Sequence, residues 1–60
     1  MMDGIKEYEG KKVYVILISG RKYTGVIKKV DDNFVYLIDK FGDNVMFNIS
    51  EISLIEEERK

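Results

Sequence analysis

The sequence predicts a mainly β fold in which a short N-terminal helix precedes a strongly bent, five-stranded antiparallel sheet forming a small barrel. Three observations support this. Met2, Ile5 and Tyr8, with Met1, recur at spacings of three and four, as one stripe of a helix does. From Lys12 onward, branched and aromatic residues gather in short runs broken by turns containing Gly, Asp and Asn, the pattern of strands. Finally, five strands within 60 residues cannot cover their own apolar face while flat, so the sheet has to bend.

The helix is expected over about residues 3–9, with Asp3 as N-cap and Gly10 as the C-terminal stop. So short a helix is marginal alone and must dock on the sheet. Strand one is the apolar run Val13 to Ile18, and Ser19-Gly20-Arg21 turns the chain through a glycine able to take positive φ. Strand two, Lys22 to Val30, alternates: Tyr23, Gly25 and Ile27 face one way, and Lys22, Thr24, Val26 and Lys28 the other. A glycine inside a strand, Gly25, signals a sharp bend or a close approach of backbone. Asp31-Asp32-Asn33 is the next turn, Phe34 to Ile38 is strand three, and Asp39 to Asn44 is a loop. Val45 to Phe47 gives a short fourth strand, Asn48 to Glu51 a tight connection, and Ile52 to Ile55 a fifth strand. One domain therefore occupies residues 1–60, with the barrel over about 12–56 and a charged tail over 57–60.

Composition removes many functions. The chain has no Cys and no His, so disulfides, thiolate or imidazole metal sites, Ser-His triads and Cys nucleophiles are unavailable. The remaining carboxylates, lysines and tyrosines lie mostly in turns that would not shift their pKa values, and no catalytic constellation or cofactor site is expected. Asp39 and Asp43 flank a glycine-containing loop, but their spacing is not that of a calcium loop, so no metal is expected there. The longest apolar run has six residues, against roughly 20 for a membrane-spanning helix. Met1-Met2-Asp3-Gly4 lacks the basic start of a secretory signal, so the expected location is cytoplasmic.

The net charge is −1, but its distribution is uneven. Between Gly10 and Lys40 stand seven bases and three acids, and the last five residues, Glu56-Glu57-Glu58-Arg59-Lys60, pull the total back down. Lys28 and Lys29, adjacent in a strand, are expected to point to opposite faces. Lys11-Lys12 and Arg21-Lys22 sit at opposite ends of the first hairpin and do not make one patch. Strands one and three are apolar on both faces, whereas a barrel of this size has one interior. The surplus must lie under the helix or against another subunit. A domain this short buries only about 60% of its unfolded surface, which favours self-association.

The stretch Gly10 to Asp31, with its alternating hydrophobics, the Gly20 turn, and Tyr23, Gly25, Ile27 and Asp31 at fixed spacing, resembles the first motif of the Sm and Sm-like family. Asp32-Asn33-Phe34-Val35-Tyr36-Leu37-Ile38, and Met46-Phe47 leading to Ile52-Ser53-Leu54-Ile55, are similar to the bacterial Hfq branch. The resemblance covers about residues 5–55. It implies a homo-oligomeric ring, hexamer or heptamer, in which strands four and five pair with neighbouring subunits. Val45, Met46, Phe47, Ile52 and Leu54 would form that interface. It further implies non-catalytic binding of single-stranded RNA by two loops carrying Asp31, Asp32, Asn33 and Phe34, and Asn48 and Ser50. Asp31 matches the family's loop aspartate by spacing from Gly25, and Asp32 matches it by the Asn33-Phe34 pair on its C-terminal side. At the second loop the family carries arginine-glycine or lysine-histidine, while this chain has Asn48-Ile49-Ser50-Glu51 and no cation. Phe34 is either a core residue of strand three or a stacking platform, and Asn33 either a turn residue or a ligand contact. The missing cation and the acidic tail support an alternative, an Sm-like or SH3-like oligomeric protein-interaction scaffold without nucleic-acid binding.

Overall fold

The computed structural model describes residues 2–58, and the side chains of residues 4–58. Helix α1 (Met2–Lys6) is followed by β1 (Lys12–Leu17), β2 (Lys22–Val30), β3 (Phe34–Asp39), β4 (Asn44–Asn48), a single 3-10 turn (Ile49–Glu51) and β5 (Ile52–Glu57). The helix starts ahead of the expected cap Asp3, whose side chain, like those of Met1 and Met2, lies outside the described residues. It also stops three residues early. After Lys6 the backbone tightens, with Tyr8 N–H on the Ile5 carbonyl and Glu9 N–H on that of Lys6, and Gly10 turns the chain at φ +81°. The segment still docks as its pattern requires, because Ile5 and Tyr8 pack on the core. A carboxylate fixes the angle: Glu9 Oε2 accepts from the Val30 N–H at 2.7 Å.

All strand pairs are antiparallel, in the order β4-β3-β2-β1-β5. The inner face is made by alternate residues of β1 (Val13, Val15, Leu17) and β3 (Val35, Leu37), with Ile27 and Val30 of β2 and Phe47 of β4. Gly25 lies where β3 crosses β2 most closely. A Cβ there would overlap the Ile38 carbonyl oxygen and stand 2.6 Å from Asp39 Cα, so the close approach signalled by a strand glycine is real.

Two departures from plain alternation shape the molecule. Opposite Leu37 and Tyr36 of β3 stand Ile27 and Lys29 of β2, leaving Lys28 as the extra residue of a bulge. Strict alternation would bury Lys29 and expose Val30. The bulge instead leaves Lys28 and Lys29 both exposed and turns Val30 inward, so the expectation of opposite faces fails for this pair. A second bulge, at Ser53, lies between β1 and β5.

The sheet is strongly bent but not closed. β4 and β5 end the strand order, and each has one edge without a neighbouring strand among the described residues. Large apolar side chains remain in the open near these edges and on the outer face: Met46 is 57% exposed, Leu54 41% and Val26 42%. The surplus inferred from two-faced strands is thus visible in the folded chain, and the helix does not absorb it.

Candidate nucleic-acid interface

The loop between β2 and β3 is built by one carboxylate. Asp31 Oδ1 accepts from the N–H groups of Asn33 at 3.0 Å and Phe34 at 2.9 Å, and its Oδ2 accepts from the Tyr36 hydroxyl at 3.1 Å. The Asp31 N–H donates back to the Phe34 carbonyl at 3.0 Å, closing a tight turn. Asp31 is therefore the structural aspartate of the loop, while Asp32 is its exposed insertion. The backbone donors of Phe34 and Asn33, then the Tyr36 hydroxyl and the nearby Lys29 charge, hold the Asp31 carboxyl below its usual range. The same bond raises the Tyr36 phenol above its ordinary value, since ionisation would remove the donor.

This gives a signed expectation. An aspartate whose pKa is depressed on folding contributes stability that is present above its unfolded value, about 3.9, and is lost as pH falls through the folded one. Asp31→Asn should lower the melting temperature at pH 7 and flatten its fall below about pH 4. A variant with the wild-type acid slope in thermal melts would contradict the role given to this carboxylate.

The second loop is self-contained. Asn48 Oδ1 accepts from both the backbone N–H and the hydroxyl of Ser50, at 2.9 Å each, which caps the 3-10 turn. The two loops are then joined: Ile49 N–H donates to the Asn33 carbonyl at 2.8 Å, and Phe34 lies opposite Asn48 in the β3–β4 ladder. All six loop residues singled out from the sequence thus meet at one end of the molecule. Asp31 is occupied with the backbone and Asn48 Oδ1 with Ser50; Asp32 and Asn33 are exposed. Phe34 is half-buried and stands outside the core cluster, between two shallow hollows.

Cations missing from the second loop arrive from elsewhere. Lys6 and Lys29 line the hollow formed by Asp31, Asn33 and Phe34, and Arg21 lines the one shared by Phe34, Asn48 and Glu51. Neither lysine was legible as a site residue, because the docking of α1 places Lys6 and the bulge at Lys28 places Lys29. Arg21 donates to the Tyr23 hydroxyl at 3.2 Å, and Tyr23 is stacked on Phe47 with ring centroids 6.0 Å apart. Asp39, by contrast, is a loop builder, its Oδ1 accepting from the Phe41 and Asp43 N–H groups.

The strand residues assigned to a subunit interface fall into two groups. Met46 and Leu54 present exposed side chains on the terminal strands β4 and β5. Val45 and Ile52 are half-buried against the core, and Phe47 is inside it, so these three have mainly backbone to offer a neighbour.

The family model of the LSM domain matches residues 3–40, well over half of the chain. The chain belongs to the LSM family, the Sm-like proteins. The match begins in α1 and ends just after β3, so the family assignment spans the first of the two loops. Among solved structures, this LSM chain is similar to the crystal structure of the pleiotropic translational regulator Hfq, with a TM-score of 0.76 at 22% identity. The similarity covers 88% of this chain and 90% of that one, and it establishes a shared fold. No curated protein matches the chain in sequence.

Proposed function

We propose that this LSM chain assembles through its open sheet edges into a ring of six or seven copies that binds single-stranded RNA without catalysis. The observation that carries the reading is the union of the two loops by the Ile49–Asn33 bond beside a half-buried phenylalanine outside the core. In a ring this assembly repeats once per subunit, giving a circle of aromatic platforms and amides with Lys6, Lys29 and Arg21 near the phosphate path. The fold shared with a translational regulator fits the same reading.

Titration of short U-rich and A-rich oligonucleotides at two salt concentrations tests it. The expected result is an affinity that falls as salt rises, because bound phosphates release counterions. An assembled ring with no salt-dependent affinity would leave the fold intact and remove the function. Phe34→Ala sharpens the test. Loss of one stacking platform should weaken binding at least about fivefold, since base–aromatic stacking contributes roughly 1–3 kcal/mol per base, while the melting temperature moves by only a few degrees. Parallel losses of affinity and stability would make Phe34 a structural residue instead.

Glu51, standing where a cation would help, favours the second reading, a protein-binding scaffold. Capture of a protein partner that survives nuclease treatment, together with no oligonucleotide binding, would select it.

A further inference from the structure

Phe34 borders a hollow that Arg21, Asn48 and Glu51 also line. The two charged residues hang on one frame. The Leu17 N–H donates to the Arg21 carbonyl at 2.8 Å, and the next N–H, that of Ile18, donates to the Glu51 carbonyl at 2.8 Å. Glu51 ends the 3-10 turn that Asn48 caps, and Asn48 stands opposite Phe34 in the β3–β4 ladder. The ring, the carboxylate and the guanidinium are therefore carried by hydrogen-bonded backbone, which limits the ordering cost of binding a flat group among them.

The two charges do not neutralise each other, because neither Arg21 nor Glu51 is in an ion pair among the described residues. Arg21 Nη1 donates to the Tyr23 hydroxyl at 3.2 Å, which orients the guanidinium and takes one of its five N–H donors. The Glu51 carboxylate accepts no hydrogen bond among the described residues. The hollow thus offers an aromatic face, a group that only accepts and a fork that only donates.

Of the four RNA bases, guanine alone matches all three. It presents two adjacent donors, N1–H and the N2 amino group, on one edge, and two acceptors, O6 and N7, on the edge beside it. Uracil presents N3–H between two carbonyl oxygens, whose lone pairs repel a carboxylate. Adenine and cytosine set one amino group beside a ring acceptor, so a carboxylate gains one bond and meets a lone pair. We infer that the hollow is a guanine-reading subsite: a guanine stacked on Phe34 donates from N1 and N2 to the Glu51 carboxylate and accepts from the Arg21 guanidinium at O6 and N7. The subsite rests on the proposed RNA binding and adds its base specificity. Arg21 then serves a base edge, and Lys6 and Lys29, in the other hollow, serve the phosphates.

Anisotropy titrations test this with uridine hexamers carrying no substitution or one central guanine, adenine or cytosine. The guanine strand should bind the wild type at least about fivefold more tightly than the all-uridine strand, the low end for a bidentate base contact. Inosine, which lacks the N2 amino group, and 7-deazaguanine, which lacks N7, should each give up at least about twofold of that gain. Glu51→Gln removes one of the two acceptors and should bring the guanine and uridine strands to within about twofold of each other. Arg21→Ala should weaken the guanine strand more than the uridine strand, whereas a contact to phosphate would weaken both alike. Both positions are exposed, and circular dichroism confirms the fold of each variant. Equal affinities, a uridine preference, or a guanine preference untouched by Glu51→Gln would overturn the subsite and leave RNA binding in place. Equal losses from Arg21→Ala would remove Arg21 from it and overturn the two-edged reading. A wild type that binds none of the strands would overturn both the subsite and the RNA binding on which it rests.

Discussion

Leu54→Asp should reduce the proposed ring to single chains without unfolding them. In one chain Leu54 is 41% exposed at the outermost strand, so an aspartate there meets water, and a surface change of this kind costs about 0.5–1 kcal/mol once the poor strand propensity of Asp is included. Within a β4–β5 contact the same carboxylate would be pressed against an apolar side chain with no partner, at several kcal/mol. It would also place charge on a sheet edge, the device by which soluble proteins prevent edge pairing. Every interface of a ring carries the substitution, so the penalty recurs around the circle. Light scattering should give the mass of one chain, 7.0 kDa, while circular dichroism stays that of the folded protein. An unchanged native mass would move the interface away from β5. Phe47 is not a suitable probe, because it is core, and a charge there would report on folding.

Gly25→Val has the opposite signature, a loss of folding itself. Gly25 pairs with Val13 on one side and Asp39 on the other, and any Cβ would meet the Ile38 carbonyl and the Asp39 Cα, which are backbone and cannot swing aside. Forced overpacking costs typically 1–3 kcal/mol, and more where backbone must move. A domain of this size has roughly 3–9 kcal/mol in total. The melting temperature should fall by about 15 °C or more, or the cooperative transition should disappear. A variant melting within a few degrees of the wild type at matched concentration would mean that β2 and β3 can separate at this crossing at little cost.

How far these features could be read from the chain depends on how local their causes are. Gly25 is legible because a glycine amid Tyr23, Thr24, Val26 and Ile27 has no propensity reason to be there, and close backbone is the remaining one. The period of two that sets Val13, Val15 and Leu17, and Val35 and Leu37, on one face is legible, but that this face is the core is not, because both strands are apolar on both faces. The helix is overextended in the sequence because Glu7 to Gly10 continue the pattern, while the observed turns serve the Glu9 carboxylate that caps the end of β2. The bulge at Lys28 is hidden because alternation contains no mark for an extra residue; the one clue is that Val30 would otherwise face water. Spacing from Gly25 favours Asp31 and the Asn33-Phe34 pair favours Asp32, and the two are separated only by the three hydrogen bonds that converge on Asp31. Lys6 and Arg21 join the site through tertiary packing, which no local pattern encodes.

The native mass of the wild-type chain in concentrated solution tests the central claim most directly. The claim is that one copy leaves sheet edges and apolar surface that other copies must cover. Light scattering should return six or seven times 7.0 kDa. A folded species of 7.0 kDa that persists as concentration rises would contradict it.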